Sequence, residues 1–205
     1  MSTLTIRPTG DNDRVGWTNT ANGTTNIYQG VDEAVLSESD YAQLYQLGAV
    51  GAGTYRMKYN WGDHSAESGA ISQIKLYAQV KKTALGTGAT NTKLYLFAPN
   101  SSYETEVAIT TSSAQQSITL ATNPATGIAW TWSDIDGLIA GHTGSCTGGD
   151  SKNNNTFFVY QMYIEVTYTS GWANIAKVTG VASADIAKVN GVAVASIAKV
   201  NGVAV

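Results

Sequence analysis

The chain has 205 residues, enough for one sizeable domain or a domain with an appendage. Only 13% of them are charged, about half the usual ~25%, and the net charge of −3 comes with no basic stripe of the kind phosphate contacts require, so nucleic-acid binding is not expected. Cys146 is the only cysteine, which excludes an internal disulfide, and no run approaches the ~20 apolar residues of a membrane-spanning helix, so membrane insertion is not expected.

The opening "MSTLTIRPTGDNDRVGW" lacks the apolar stretch of a secretory signal, which points to synthesis in the cytoplasm. Within it "TLTIRP" is a weak strand candidate. "ESDYAQLYQL" fits either a helical turn or a strand, and "GTYRMKYNW" reads as a strand. "ISQIKLYAQVKK" alternates Ile74, Leu76, Ala78 and Val80 with Lys75, Tyr77, Gln79 and Lys81, the period of a strand with one buried face. "TKLYLFA" does the same, with Leu94 and Leu96 against Lys93, Tyr95 and Phe97. "YETEVAIT" and "QQSITLA" are shorter candidates. "TWSDIDGLIAG" reads as one helical turn, capped by Ser133, with Asp134 and Asp136 at its N-terminal end and Gly137 or Gly141 to stop it. "GHTGSCTGGDSKNNN" reads as a loop. In "TFFVYQMYIEVTY", strict alternation puts Phe158, Tyr160, Met162, Ile164, Val166 and Tyr168 on one face. Many strands, polar turns and almost no helix predict an all-β, antiparallel, jelly-roll-like β-sandwich over residues 1–170, its strands running from about Ser2 to Thr169.

Residues 171–205 differ. Ile175, Ile186 and Ile197 are 11 residues apart, as are Lys177, Lys188 and Lys199, and Gly180, Gly191 and Gly202. A glycine between β-branched residues in each unit is poor helix chemistry, whereas Asn-Gly favours a two-residue hairpin turn. "IAKV-NG-VAVA" is therefore read as a hairpin with four residues per arm. Isolated hairpins are marginal in water. Three short apolar ones call for partners through Ile175, Val178, Val181, Ile186, Val189, Val192, Ile197, Val200 and Val203, with the lysines left wet. Closed symmetry is the default for homo-oligomers, and three-fold closure suits short β elements, so a homotrimer is expected.

Catalytic and metal-binding signatures are thin. His64 and His142 both fall in loop-like text. Four residues separate His142 from Cys146, but no second cluster supplies the further ligands a zinc ion needs. Asp11 and Asp13, and Asp134 and Asp136, begin like calcium loops. Positions five and twelve are then Val15 and Asn22, or Leu138 and Ser145, which cannot complete them. Glu104 and Glu106 alternate on one strand face and read as solubilising charges. No catalytic residue, cofactor or metal is expected. Tyrosine is abundant, with 11 copies, and Tyr77, Tyr95 and Tyr163 on the polar faces of strands are candidates to line a sugar-binding surface.

"NIYQGVDEA", "TNPATGIAWTWSDIDGLIAG" and "FFVYQMYIEVTY" together resemble a β-sandwich domain of tailed-phage virion structural proteins, over roughly Leu4 to Tyr168. The "IAKVNGV" units resemble short C-terminal repeats on such proteins, while "VLSESDYAQLYQLGAVGAG" matches least. The resemblance implies a non-enzymatic virion component, a capsid decoration or fibre protein. It would be made in the host cytoplasm and freed by lysis, with other copies of itself and the major capsid protein as partners. Two other readings stay open: a carbohydrate-binding module for surface glycan, and a subunit of an extracellular filament built by strand addition.

Overall fold

The computed structural model describes residues 1–19, 26–45, 53–83, 92–97, 104–146 and 156–169, and six two-residue strands in the repeats. Eleven strands of the described residues before the repeats are β1 (Ser2–Ile6), β2 (Pro8–Arg14), β3 (Trp17–Asn19), β4 (Ala42–Tyr45), β5 (Gly53–Trp61), β6 (Ile71–Lys82), β7 (Thr92–Phe97), β8 (Glu104–Val107), β9 (Ala114–Leu120), β10 (Ile139–Cys146) and β11 (Thr156–Tyr168). They make two antiparallel sheets. The larger runs β3–β4–β11–β6–β9 with β1 added along β11, and the smaller runs β2–β5–β10–β7–β8. The inner faces share one apolar core, so the architecture is the expected β-sandwich.

"TLTIRPTGDNDR" makes two strands rather than one. β1 pairs with β11 in the larger sheet, and β2 pairs with β5 in the smaller, the chain crossing over at Arg7. Pro8 is the first residue of β2, an edge strand, where its missing N–H is tolerated. Ser2 lies opposite Tyr168, so both ends of the sandwich chain leave from the same end of the body.

β6 alternates as read, with Ile74, Leu76, Ala78 and Val80 fully buried. β11 does not. A bulge between Val159 and Gln161 inserts Tyr160 as an extra residue and reverses the alternation there. Phe157 and Val159 point into the core before it, and Met162, Ile164 and Val166 after it. Phe158 and Tyr160 therefore belong to the outer face, not to the face of Met162. A second irregularity lies at Thr167–Tyr168.

β10 corrects the loop expected at "GHTGSC". It is the central strand of the smaller sheet, paired to β5 and β7. Its glycines serve close packing. A Cβ on Gly141 would stand 1.9 Å from the carbonyl oxygen of Met57, and one on Gly144 2.4 Å from Leu44 Cδ2. Gly141 thus stops no helix. The helical turn is α1 (Trp132–Ile135), and its cap is Thr131 rather than Ser133: Thr131 and Asp134 exchange side-chain-to-backbone hydrogen bonds in a capping box. "ESDYAQLYQL" resolves as strand β4.

His142 lies inside this core. Its Nε2 is 2.9 Å from the Tyr59 hydroxyl, and Trp17 meets its ring edge-on at 4.1 Å. Nδ1 is buried with no hydrogen-bond partner among the described residues. Burial pushes the imidazole down to about 3 from its ordinary 6.5, so it is held neutral. Trp17 spans the two sheets, donating Nε1–H to the Tyr55 carbonyl at 2.9 Å.

In the repeats, β12 (Lys177–Val178) pairs with β13 (Val181–Ala182), β14 (Lys188–Val189) with β15 (Val192–Ala193), and β16 (Lys199–Val200) with β17 (Val203–Ala204). Val178 faces Val181, Val189 faces Val192 and Val200 faces Val203, the register a two-residue connection requires. The described arms are two residues long, where the sequence reads four. Ile175, Ile186 and Ile197 lie outside the described residues.

Two outcomes follow from this packing. Gly141→Ala forces a methyl against backbone and should destabilise the fold by about 2 kcal/mol or more in urea unfolding. For His142 the unfolded chain takes up a proton that the folded chain refuses, so its contribution falls away as pH drops from about 6.5 toward 3, by at most about 1.4 kcal/mol per pH unit. Unfolding curves of wild type and His142→Gln, compared between about pH 7 and pH 4, should diverge by that slope. Parallel curves would contradict the buried neutral imidazole.

Candidate functional site

The outer face of the larger sheet carries side chains in rows across its strands. Antiparallel pairing sets Tyr77 on β6 opposite Tyr163 on β11, with Ser117 of β9 on one flank. Arg7 follows directly on the Ile6–Ile164 pair, which brings it beside Tyr163 on the other flank. One step along, Gln79 stands between Gln161 and Gln115. The opposite step sets Lys75 between Glu165 and Thr119.

The two tyrosine rings stack, their centroids 4.5 Å apart and their planes 18° from parallel. Arg7 lies over Tyr163 at 5.6 Å from the ring centre, and Lys75 over Tyr77 at 4.5 Å. Ring faces are thus shared with each other and with cations, and what the pair offers outward is mainly edges and hydroxyls. Tyr163 reaches across β6 to accept from Gln115 Nε2 at 3.1 Å. The Tyr77 phenol is raised above its ordinary 10, first by partial burial; of its neighbours, Glu165 raises it and Lys75 lowers it.

Each glutamine is held at one end. Gln79 Nε2 donates to Ser113 Oγ at 2.8 Å, Gln161 Nε2 to the Glu33 carbonyl at 2.8 Å, and Gln115 to Tyr163. The amide oxygens have no protein partner among the described residues. Beyond the glutamines, Tyr41 meets Phe158 and Tyr160 edge-on at 5.1 and 5.7 Å, an aromatic cluster on the outer face in which Tyr160 is itself buried. Phe158 and Tyr160 are close to parallel, 11° apart, and neither belongs to the core cluster.

Tyr95 does not join this surface. It lies on β7 of the other sheet, opposite Thr143 and Glu106. That face is filled with internal pairs: Glu104 accepts from Thr143 at 2.8 Å and Glu106 from Lys93 at 2.8 Å. The two glutamates are therefore engaged by neighbours rather than set across a cleft.

The remaining chemical candidates are used by the fold. Asp11 accepts the backbone N–H groups of Ile27 and Tyr28 at 2.9 and 2.8 Å, fixing the start of a 3-10 turn, Ile27–Gly30. Asp13 pairs with Arg56. Asp134 closes the capping box, and Asp136 holds His64 Nδ1 at 2.5 Å. His142 is locked between Tyr59 and Trp17, away from any partner histidine. Among the described residues no three His, Cys, Asp or Glu side chains converge to hold a metal ion, and no helix is long and apolar enough to cross a membrane.

Sequence reasoning picked out Tyr77 and Tyr163 but missed Arg7 and the glutamines. A signal was there. "Tyr77-Ala-Gln79" and "Gln161-Met-Tyr163" are mirror images, so antiparallel pairing brings tyrosine to tyrosine and glutamine to glutamine.

No family model matches the chain, and no curated protein matches it. Solved structures with distant likeness include one described as "CBM4 structure and function", 13% identical with a TM-score of 0.38, covering 74% of this chain and 95% of that one. A second is the C-terminal CBM6 of LamC, a marine laminarinase from Zobellia galactanivorans, 11% identical at TM-score 0.38, covering 81% of this chain and 99% of that one. A third is the N-terminal cellulose-binding domain of β-1,4-glucanase C from Cellulomonas fimi, 13% identical at TM-score 0.29, covering 76% and 88%. Likeness this distant says nothing about what the present chain binds.

Proposed function

We propose that the sandwich is a non-enzymatic binding module that takes a glycan on the outer face of its larger sheet. The observation carrying this reading is the mirrored Tyr77–Gln79 and Gln161–Tyr163 set, with amide oxygens left to accept from ligand hydroxyls. Planar amides on paired strands are pre-positioned, so little side-chain freedom is lost on binding. Partly buried aromatic edges supply apolar contact for the C–H faces of a sugar. Nothing in this arrangement places an acid and a base across a scissile bond.

Gln79→Ala and Tyr77→Ala should each weaken glycan binding about five- to tenfold, the loss of one hydrogen bond or one ring contact, with the folded spectrum unchanged. Tyr95→Ala should leave it as it was. A glycan array without a single hit would end this reading.

A second reading concerns the repeats, which have their own observation: three two-stranded hairpins at an 11-residue spacing, each too small to be stable by itself. We propose that residues 1–170 are the binding body and residues 171–205 the assembly segment. That segment joins copies into a homotrimer or fastens them to the major capsid protein of a phage particle, in line with the virion resemblance. Such a protein is made in the host cytoplasm and reaches the outside by lysis. Removal of residues 174–205 should reduce the mass in light scattering to that of a monomer and abolish particle binding. A truncated body with unchanged mass and particle binding would rule the assembly role out. Concentration-dependent fibres from the full chain would replace closed symmetry with filament growth.

A further inference from the structure

β11 is paired along one edge by β6 for nearly its whole length, but its other edge is shared. β4 covers Thr156–Val159 and β1 covers Ile164–Tyr168. Between them lies a gap at the bulge, and residues 31–41, running from the 3-10 turn to β4, fill it as a strap. The Val31 carbonyl accepts the Met162 N–H at 2.7 Å. The Glu33 carbonyl accepts from Gln161 Nε2 and from Arg7 Nη1 together. Two donors of the proposed binding face thus converge on one oxygen of the chain itself.

We propose that this strap is an autoinhibitory contact: the Glu33 carbonyl occupies the donors of Gln161 and Arg7 that a ligand oxygen would take, and charge accumulating on the strap releases them. The proposal rests on the glycan reading of the face, and it adds how access to that face is controlled.

The strap holds four carboxyls in nine residues, Asp32, Glu33, Glu38 and Asp40, with no basic residue among them. The charged and titratable groups facing Glu33 are Asp32 and Asp40 from the strap and Arg7 from the β1–β2 junction. Glu38 and Tyr41 face Tyr160 of β11. Glu33 Oε2 is buried with no hydrogen-bond partner among the described residues. Desolvation first, then Asp40 and Asp32, push its carboxyl up to about 7, against a hydrogen bond from its own backbone. Asp32 is raised as well, by burial first. The closed strap therefore prefers a protonated Glu33. That preference is fully present below the ordinary carboxyl range and is lost as pH rises through about 7. Exposed Val35 and Leu36 at the strap's tip add no anchoring burial.

Hydrogen exchange at the Met162 amide reads the strap without any ligand. In the full-length protein its protection factor should fall as pH is raised from about 4.5 to about 7, by at most about tenfold per pH unit, the limit for one coupled proton, and level off above that. Glu33→Gln should hold protection flat over that range, and Asp40→Asn, which removes a group that raises Glu33, should make the fall smaller and end it at lower pH. In parallel, the strongest-binding glycan of the array should bind wild type several-fold tighter at about pH 8.5 than at about pH 6, and bind Glu33→Gln weakly at both. Met162 protection independent of pH in wild type, or the same fall in Glu33→Gln, would overturn the strap. A pH-dependent strap with no glycan bound at any pH would leave the strap standing and remove the glycan reading instead.

Discussion

Strand β11 has thirteen residues and two edges of backbone hydrogen-bonding groups to satisfy, and the larger sheet is organised around that demand. One long partner, β6, answers it on one side. On the other, two short strands meet its ends and leave the middle to a non-strand segment. The bulge at Tyr160 belongs to the same solution, because it lets core residues continue inward on both sides of the gap while Phe158 and Tyr160 face out. The aromatic surface, the glutamine row and the acidic strap are all consequences of how this one strand is covered.

Much of this was legible wherever side chains alternate by size and polarity. β6 and most of β7 could be read directly, because their core-facing positions are Ile, Leu, Val and Ala and their other positions mainly Lys, Gln and Tyr; Phe97, read on the wet face of β7, is instead buried, with Lys58 over its ring. β10 could not. Its Gly141, Thr143, Gly144 and Ser145 look like a turn, yet the small residues are there because Met57 backbone and the Leu44 and Phe157 side chains approach too closely for anything larger. Composition reports that a residue is small, but not whether the reason is a bend or a crowded neighbour. β2 was hidden for a different reason: an edge strand with polar side chains keeps its pairing in the backbone, where sequence pattern does not register it.

The functional surface was half legible for a related cause. Tyr77 and Tyr163 were visible as polar-face aromatics, but their stacking depends on strand register, and Tyr95 had the same local pattern on the wrong sheet. Arg7 reaches the surface only because the chain changes sheets at that residue. The bulge inverted the expected face of Phe158 and Tyr160 and so hid the link between β11 and the strap. Aspartates that looked like ligand sets turned out to be anchors for a 3-10 turn, a helical cap, an ion pair with Arg56 and a hydrogen bond with His64.

The pairing of Ser2 with Tyr168 has a mechanical meaning. Tension applied through both ends of the body would draw β1 and β11 apart from their adjacent tips, breaking their bonds one after another, a low-force route. Tension entering only at Tyr168 would instead drag β11 lengthwise against β6, loading eleven residue pairs in shear at once. A body suspended by its C-terminal end alone is therefore hung from its strongest seam, and the face bearing Tyr77 and Tyr163 stays intact while it pulls.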